Sequence, residues 1–505
     1  MQILQVGSGL FAQKYPRAMT PASSSNDVVP DKAAGNSFAV ILATGAILVF
    51  VLTLMLFGSE AMDSGTIILV AGTIALSLAP WPLWLAGLEK TSVPLFPAFC
   101  TYLAVYFAAA PFLAPLGWPD GPVVLYEIAE VGTLNPDTYT IFSASMLAVL
   151  IGYYAAICGP LNRLRPFLGP EPGFNRYFRA MLWLMAISHL VYSYIPEVRS
   201  LPSIGQLLDP AGLFAVGGLY LAWRRKRLTL AEKLVFLVVL LPLEAYAVLR
   251  SLLITKFLLL TAFMFFLFLY ERQLRFMLIA ALLGAALLGG YRYTTASRSF
   301  GEAGLDRFKA VYNAVIDDFK NPYQTNPRTG LKRLDIPPGA VSLIRRVGQY
   351  WVFQHVHDRT PDPIPYWRGE TLKPLLTTMI PRVLYPDKPR EVAGNKFGIR
   401  FDLLTGDDPR TSINIPWPTE LLANFGPLGL ITGMAVIGLC LAGLFRILLS
   451  TAAGPVTTLT GLTVLHPLVY PESNISVTAG SIPLLYVCLT FSCFIIWWFT
   501  ARKQT

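Results

Sequence analysis

The feature that most constrains this chain is a succession of apolar runs, each of roughly 17 to 25 residues, joined by mostly short polar segments. A helix of that length covers the hydrocarbon core of a bilayer, about 30 Å, and no soluble core is large enough to hide so many of them. The runs fall near residues 37–57, 65–86, 95–113, 139–158, 178–196, 207–223, 234–249, 251–270, 276–291, 419–445, 453–470 and 481–500. Hydrophobic residues make up 54% of the 505 and charged residues only 14%, which excludes a soluble protein of several domains. The expected fold is all-α, a polytopic integral membrane protein with about twelve transmembrane helices. Residues 234–270 are almost continuously apolar and are divided mainly by Arg250 and Ser251, so the seventh and eighth spans are predicted to form a tight hairpin.

Four regions follow from this pattern. Residues 1–36 set Lys14, Arg17 and Lys32 among Ser, Ala, Pro and Gly, with no apolar stretch between the first positive charge and Ser37. That is not the pattern of a cleavable signal, and it predicts a flexible cytoplasmic tail. Residues 37–291 are expected to form a transmembrane bundle of about nine spans, 292–418 a long loop, and 419–505 a C-terminal group of about three spans.

The joints between runs alternate in charge. One set carries Lys90; Arg163, Arg165, Arg176 and Arg179; Arg224, Arg225, Lys226, Arg227 and Lys233; Arg272 and Arg275; Arg446; and Arg502 with Lys503. The other carries Glu60 and Asp63; Asp120, Glu127, Glu130 and Asp137; Glu197 and Asp209 with Arg199; and Glu472. Basic joints remain in the cytoplasm, so both termini are expected there and the long loop outside. The same rule accounts for most of the net charge of +10, so no nucleic-acid partner is implied. The five cysteines all lie within or at the ends of apolar runs, which argues for packing and against an exterior disulfide framework or a cysteine metal centre.

The long loop carries nineteen Lys or Arg against thirteen Asp or Glu, reversing the charge expected of an external segment. Long loops cross a membrane largely regardless of charge, so the topology stands and the cations need another explanation. A segment of this length is expected to have structure of its own. Ser299 followed by Glu302 resembles a capping box, after which Leu305, Phe308, Tyr312, Val315 and Phe319 recur on one face of an amphipathic helix. A second helix is predicted from Pro337 or Pro338 to about Val356, and a third over residues 370–379, stopped by Pro381. Trp351, Tyr366, Trp367, Tyr385 and Trp417 suit a surface resting on lipid headgroups.

Residues 378–400 read TMIPRVLYPDKPREVAGNKFGIR and set Arg382, Lys388, Arg390, Lys396 and Arg400 among three prolines. Arg292, Arg298, Arg345 and Arg346 lie near the membrane on the same side, and Arg250 is expected to emerge there. Guanidinium forks bind phosphate oxygens in pairs, and prolines lower the entropy lost on ordering the site, so a lipid pyrophosphate is the fitting ligand. The plainer alternative is that these cations meet anionic headgroups or pair locally. Glu420 opens a membrane span, where it could hydrogen-bond an acceptor sugar, act as general base, or simply favour its own helix N-terminus. His355 and His357 would share a side only in an extended chain, and Asp402, Asp407 and Asp408 do not follow a calcium-loop pattern, so no metal is expected. His189, His466 and Glu244 lie inside spans, where polar groups more often bond a neighbouring helix. No Walker loop, nucleophile elbow or dinucleotide fingerprint occurs in a suitable context, so ATP-driven transport and soluble cofactor chemistry are not indicated.

IPRVLYPDKP (residues 380–389), GNKFG (394–398) and PTELLANFGPLG (418–429) resemble the bacterial oligosaccharide repeat-unit polymerases, the Wzy or O-antigen polymerase family. LRSLLI at residues 249–254 is similar to that family's Arg-Ser helix start, and the plan of many spans with one long loop before the last few is similar too. The local likeness covers about fifty residues. It implies a bacterial inner-membrane glycosyltransferase that moves a glycan from one undecaprenyl-pyrophosphate carrier onto the sugar end of another, at the periplasmic or extracellular face. By position it makes Arg382 and Glu420 catalytic candidates. It makes Arg382 and Lys388 phosphate-binding candidates, and together with the cations already singled out the pyrophosphate-binding candidates are Arg250, Arg298, Arg345, Arg346, Arg382, Lys388, Arg390, Lys396 and Arg400. Asp387, His355 and His357 join Glu420 as acceptor-side candidates. The implied partners are the lipid-linked oligosaccharide, membrane lipid, a chain-length regulator and a flippase, with no cofactor. Two rivals are a ligase of related architecture, which a catalytic histidine in the loop would favour, and a flippase or secondary transporter, which would line its spans with cations.

Overall fold

The computed structural model describes residues 37–58, 63–117, 123–125, 129–131, 134–201, 204–251, 254–289, 309, 313, 316, 323–325, 332–334, 346–378, 380, 385, 387–388, 393–404, 406 and 411–502. Residues 1–36, and most of those over which an amphipathic helix is predicted after Ser299, lie outside them.

The helices are α1 (Ser37–Gly58), α2 (Ser64–Leu78), α3 (Pro80–Leu85), α4 (Leu95–Leu103), α5 (Ala110–Gly117), α6 (Pro136–Cys158), α7 (Arg176–Tyr194), α8 (Pro196–Arg199), α9 (Ile204–Arg224) and α10 (Leu230–Val235). They continue with α11 (Leu241–Ser251), α12 (Ile254–Tyr270), α13 (Leu274–Gly289), α14 (Gln349–Arg359), α15 (Pro374–Thr378), α16 (Ala393–Arg400), α17 (Trp417–Leu448), α18 (Pro455–Leu465), α19 (Ile475–Ala479) and α20 (Ile482–Ala501). Two antiparallel hairpins qualify the all-α expectation: Val123–Leu125 with Ala129–Val131, and Tyr323–Thr325 with Lys332–Leu334.

Among the described residues, five segments are long and apolar enough to cross a membrane: Ser64–Leu85, Pro136–Cys158, Ile204–Arg224, Trp417–Leu448 and Ile475–Ala501. Shorter apolar helices cover Ser37–Thr53, Leu95–Ala108, Lys256–Tyr270 and Pro455–Val469. Several apolar runs are interrupted by local geometry: wide π turns over Ala104–Ala108 and Phe236–Leu240 follow α4 and precede α11. Leu56, Ile151, Leu184, Leu428, Val436, Phe491 and Phe499 point outward, a concentration of large apolar side chains that suits lipid and not water.

The centre of the molecule is the α6–α17 pair. A side chain at Gly152 would strike the backbone of Ala435, and one at Gly438 that of Val149, so two glycines let these helices approach backbone to backbone. Beside this crossing Phe96 stacks on Tyr153 with rings 4° from parallel.

The two ends of the pair are closed differently. At the tight end the α3–α4 connection lies on the α17–α18 connection: Ser92 N–H donates to the Leu449 carbonyl at 2.8 Å and Thr451 N–H to that of Lys90 at 3.1 Å. The Glu171 carboxylate accepts from the N–H groups of Val456 and Thr457 and so caps α18. At the loop end, α14 to α16 and the segments around them lie across the N-terminal ends of α6 and α17. Gln354 there accepts from Asn135 N–H at 3.0 Å, and Asn135 itself caps α6. Sequence placed Trp351 and Trp417 on a headgroup surface, but both are buried, because α14 inserts its apolar side into the bundle and Trp417 packs on Phe99. The expected 370–379 helix is a 3₁₀ turn, Glu370–Leu372, followed by α15, and the described part of the expected helix ending near Val356 is α14.

Candidate functional site

The loop end is organised by a break in α17. Gly426 has φ of +71°, a conformation that favours glycine, and a Cβ there would meet the Tyr366 ring at 2.8 Å. Pro427 follows and has no N–H, so the carbonyl four residues earlier, on Ala423, loses its helical partner. The freed carbonyls recruit another segment. Trp367 N–H donates to Ala423 at 3.0 Å and Arg368 N–H to Asn424 at 2.9 Å, while Gly369 N–H donates to the Asn424 side chain at 2.9 Å. Residues 365–372 thereby form a strap across the helix break.

Glu420 locks this strap. It is fully buried one turn into α17, near the positive end of the helix. One carboxylate oxygen accepts from the Thr371 hydroxyl at 2.6 Å and the other from Ile475 N–H at the start of α19, at 2.7 Å. Asn424 donates to the Thr371 hydroxyl oxygen at 2.7 Å, and the Ser476 hydroxyl donates to the Thr371 carbonyl at 3.1 Å. The helix, the strap and α19 are thus joined by a buried network in which Glu420 has no exposed surface.

Just before α19, Glu472 is 3% exposed and receives the Arg346 guanidinium at 2.6 Å. Burial raises the Glu472 pKa and Arg346 opposes that rise. Tyr102 and Tyr106 stack beside it, and the Tyr106 and Tyr470 hydroxyls share a hydrogen bond of 2.7 Å.

The expected site residues divide. Arg400 donates to the Pro365 carbonyl at 2.7 Å and lies over the Trp367 ring, which attaches it to the strap; its Nε is buried with no hydrogen-bond partner among the described residues. Lys388 donates to the carbonyls of Thr378 and Ile380 at the end of α15. Arg346 belongs to the Glu472 pair. Lys396 and Asp387 are exposed. His355 Nε2 donates to the Phe401 carbonyl at 2.7 Å, and burial holds its pKa below the ordinary value. His357 is hydrogen-bonded to Thr138 at 2.8 Å, so the helix sends the two imidazoles to different neighbours. Among the described residues no group of His, Cys, Asp and Glu is arranged to hold a metal. Asp402 pairs with Arg359 at 2.6 Å. Arg250 lies in α11. Arg292, Arg298, Arg345, Arg382, Arg390, Asp407 and Asp408 lie outside the described residues.

Sequence reasoning passed over Thr371, Asn424 and Glu472. Asn424, one turn after Glu420 in an apolar helix, was the available signal, since a polar side chain at that depth needs a partner. Nothing in the sequence ties Thr371 to it. Compared with known proteins, the chain matches no family model, no curated protein and no solved structure.

Proposed function

We propose that this chain is an integral membrane glycosyltransferase that polymerises undecaprenyl-pyrophosphate-linked oligosaccharide repeat units. It would have about twelve spans, both termini in the cytoplasm and the 292–418 loop on the outer face of a bacterial inner membrane. The observation that carries this reading is the attachment of Arg400, Lys388 and Arg346 to one framework, the strap, α15 and α19, that Glu420 pins to α17.

Pyrophosphate leaves as a stable anion, so its departure needs charge stabilisation more than a proton. Cations fixed to a rigid frame supply this with little reorganisation. Arg382, Arg390, Arg298 and Arg345 would add to the same field. In this reading Glu420 is a positioning residue, since both of its oxygens already accept hydrogen bonds within the frame.

Deletion of the gene in its native host, followed by gel analysis of surface glycan, tests the proposal. Single-repeat products are expected. Free polymer that fails to become attached indicates a ligase instead, and unchanged glycan overturns the assignment. Arg382→Ala is expected to abolish polymer while the protein stays in the membrane; normal polymer from that variant would remove Arg382 from the site.

A further inference from the structure

The tight end contains a cavity of about 450 Å³ between the C-terminus of α9, the start of α10 and the start of α13. Arg224, Lys226, Lys233 and Arg275 line it, and among the described residues no carboxylate does. Among the described residues, the carboxylate paired with a lining cation is Glu271, which lies 3.8 Å from Arg224 and 3.2 Å from the neighbouring Arg225. Among the described residues, three of the four lining cations therefore have no carboxylate paired with them.

Local structure explains the placement. After α9 ends, Lys226 adopts a left-handed φ of +56°, and the N–H groups of Lys226 and Arg227 turn back to the carbonyls of Trp223 and Ala222. This wraps the basic joint around the negative end of the helix, where cations are favoured. Thr229 and Glu232 then form a capping box that starts α10 and brings Lys233 to the opposite wall. Arg275 lies over the Phe276 ring at 5.0 Å on the third side. The Tyr220 ring, 8% exposed, lines the remaining wall with its hydroxyl turned away from the open space. Four cations converging on one cavity are the complement of an anionic oxygen.

The surroundings say which anion. Leu230, Leu234 and Val238 on α10 and the turn after it, and Leu278, Ile279 and Leu282 on α13, are strongly exposed beside the cavity. A small soluble anion would satisfy the cations and leave these faces uncovered, whereas a lipid occupies both. The volume lies within the range of about 300 to 1,000 Å³ typical of small-ligand sites. We propose that the cavity binds the phosphodiester headgroup of an anionic phospholipid, with the acyl chains lying along the exposed faces of α10 and α13. The inference is independent of the glycan reaction at the other end.

Native mass spectrometry of the purified full-length chain in detergent, with phosphatidylglycerol or phosphatidylcholine added, provides the test. The wild type is expected to retain phosphatidylglycerol preferentially. The triple variant Lys226→Gln, Lys233→Gln, Arg275→Gln should lower that retention at least about tenfold, and the single variant Arg275→Gln about threefold. The pair Arg163→Gln, Arg165→Gln, on an exposed basic joint outside the cavity, should change nothing. Equal retention of both lipids, an unaffected triple variant, or an equal loss in the Arg163 and Arg165 pair would overturn the site. Release of phosphatidylglycerol by millimolar inorganic phosphate would overturn the lipid assignment in favour of a free phosphate. Unchanged melting temperature and a single elution peak identify variants that fold, and Arg275→Gln, which changes one side chain, remains informative if the triple variant does not.

Discussion

Glu89 and Glu420 are both fully buried, and each ties a connecting segment to the α6–α17 pair, but at opposite ends and with different donors. Glu89 takes hydrogen bonds from two phenols of α6, Tyr153 at 3.1 Å and Tyr154 at 3.0 Å. These do not compensate for lost water, and burial pushes its carboxyl up to about 8. Glu420 sits instead at a helix N-terminus and takes a backbone N–H and a threonine hydroxyl from two separate elements. The tight end is therefore held mainly by backbone pairing, with its acid a proton-sensitive addition, whereas at the loop end the carboxylate itself assembles the framework. A buried glutamate is defined by its donors more than by its depth.

The largest expected effect comes from Glu420→Ala. It orphans the Thr371 hydroxyl and the Ile475 N–H, each costing about 1 to 3 kcal/mol, so a loss of about 2 to 6 kcal/mol is expected with faster proteolysis within residues 365–378. An unchanged melting temperature would erase the contrast with Glu89. Next, Gly426→Ala forces a side chain into left-handed backbone against Tyr366, and should cost about 2 to 4 kcal/mol in denaturation of the detergent-solubilised protein.

Glu89→Gln sharpens the comparison through pH. The folded chain holds the Glu89 proton to about pH 8, while the unfolded chain releases it near the ordinary glutamate value of 4.5. The stability from this group is full below about 4.5 and is lost as pH rises to about 8, by up to about 1.4 kcal/mol per pH unit. The glutamine variant should flatten that decline and melt higher than wild type at pH 8; parallel melting curves across pH 5 to 8 would count against it. The smallest effect, about 0.5 to 1.5 kcal/mol, is expected for Tyr154→Phe, with the decline extending to higher pH because a donor that favours the ionised acid is gone.

The apolar runs announced a helical protein with membrane-crossing segments, because their length and composition are local properties. They gave no warning of the π turns at Ala104–Ala108 and Phe236–Leu240, where an apolar run looks the same whichever carbonyl each N–H chooses. The sequence predicts one continuous span over 419–445, and the break at Gly426 and Pro427 within PTELLANFGPLG is a finding of the structure. What the interruption was for could not be read, since the segment that takes the freed carbonyls lies some fifty residues away. Trp351 and Trp417 misled for a related reason: aromatic residues among polar neighbours suit a headgroup surface and a core equally well until the packing partner is known.

By itself the sequence determined the helices, their apolar faces and the alternation of basic and acidic joints, because each depends on residue type and near neighbours. Only the tertiary structure decided that Glu420 would face Thr371 and Ile475, that Arg400 would lie on Trp367, and that Lys226, Lys233 and Arg275 would surround one cavity. Those pairings join residues tens of positions apart, and hydrogen bonds and charges act over a few ångströms of space whatever the distance along the chain.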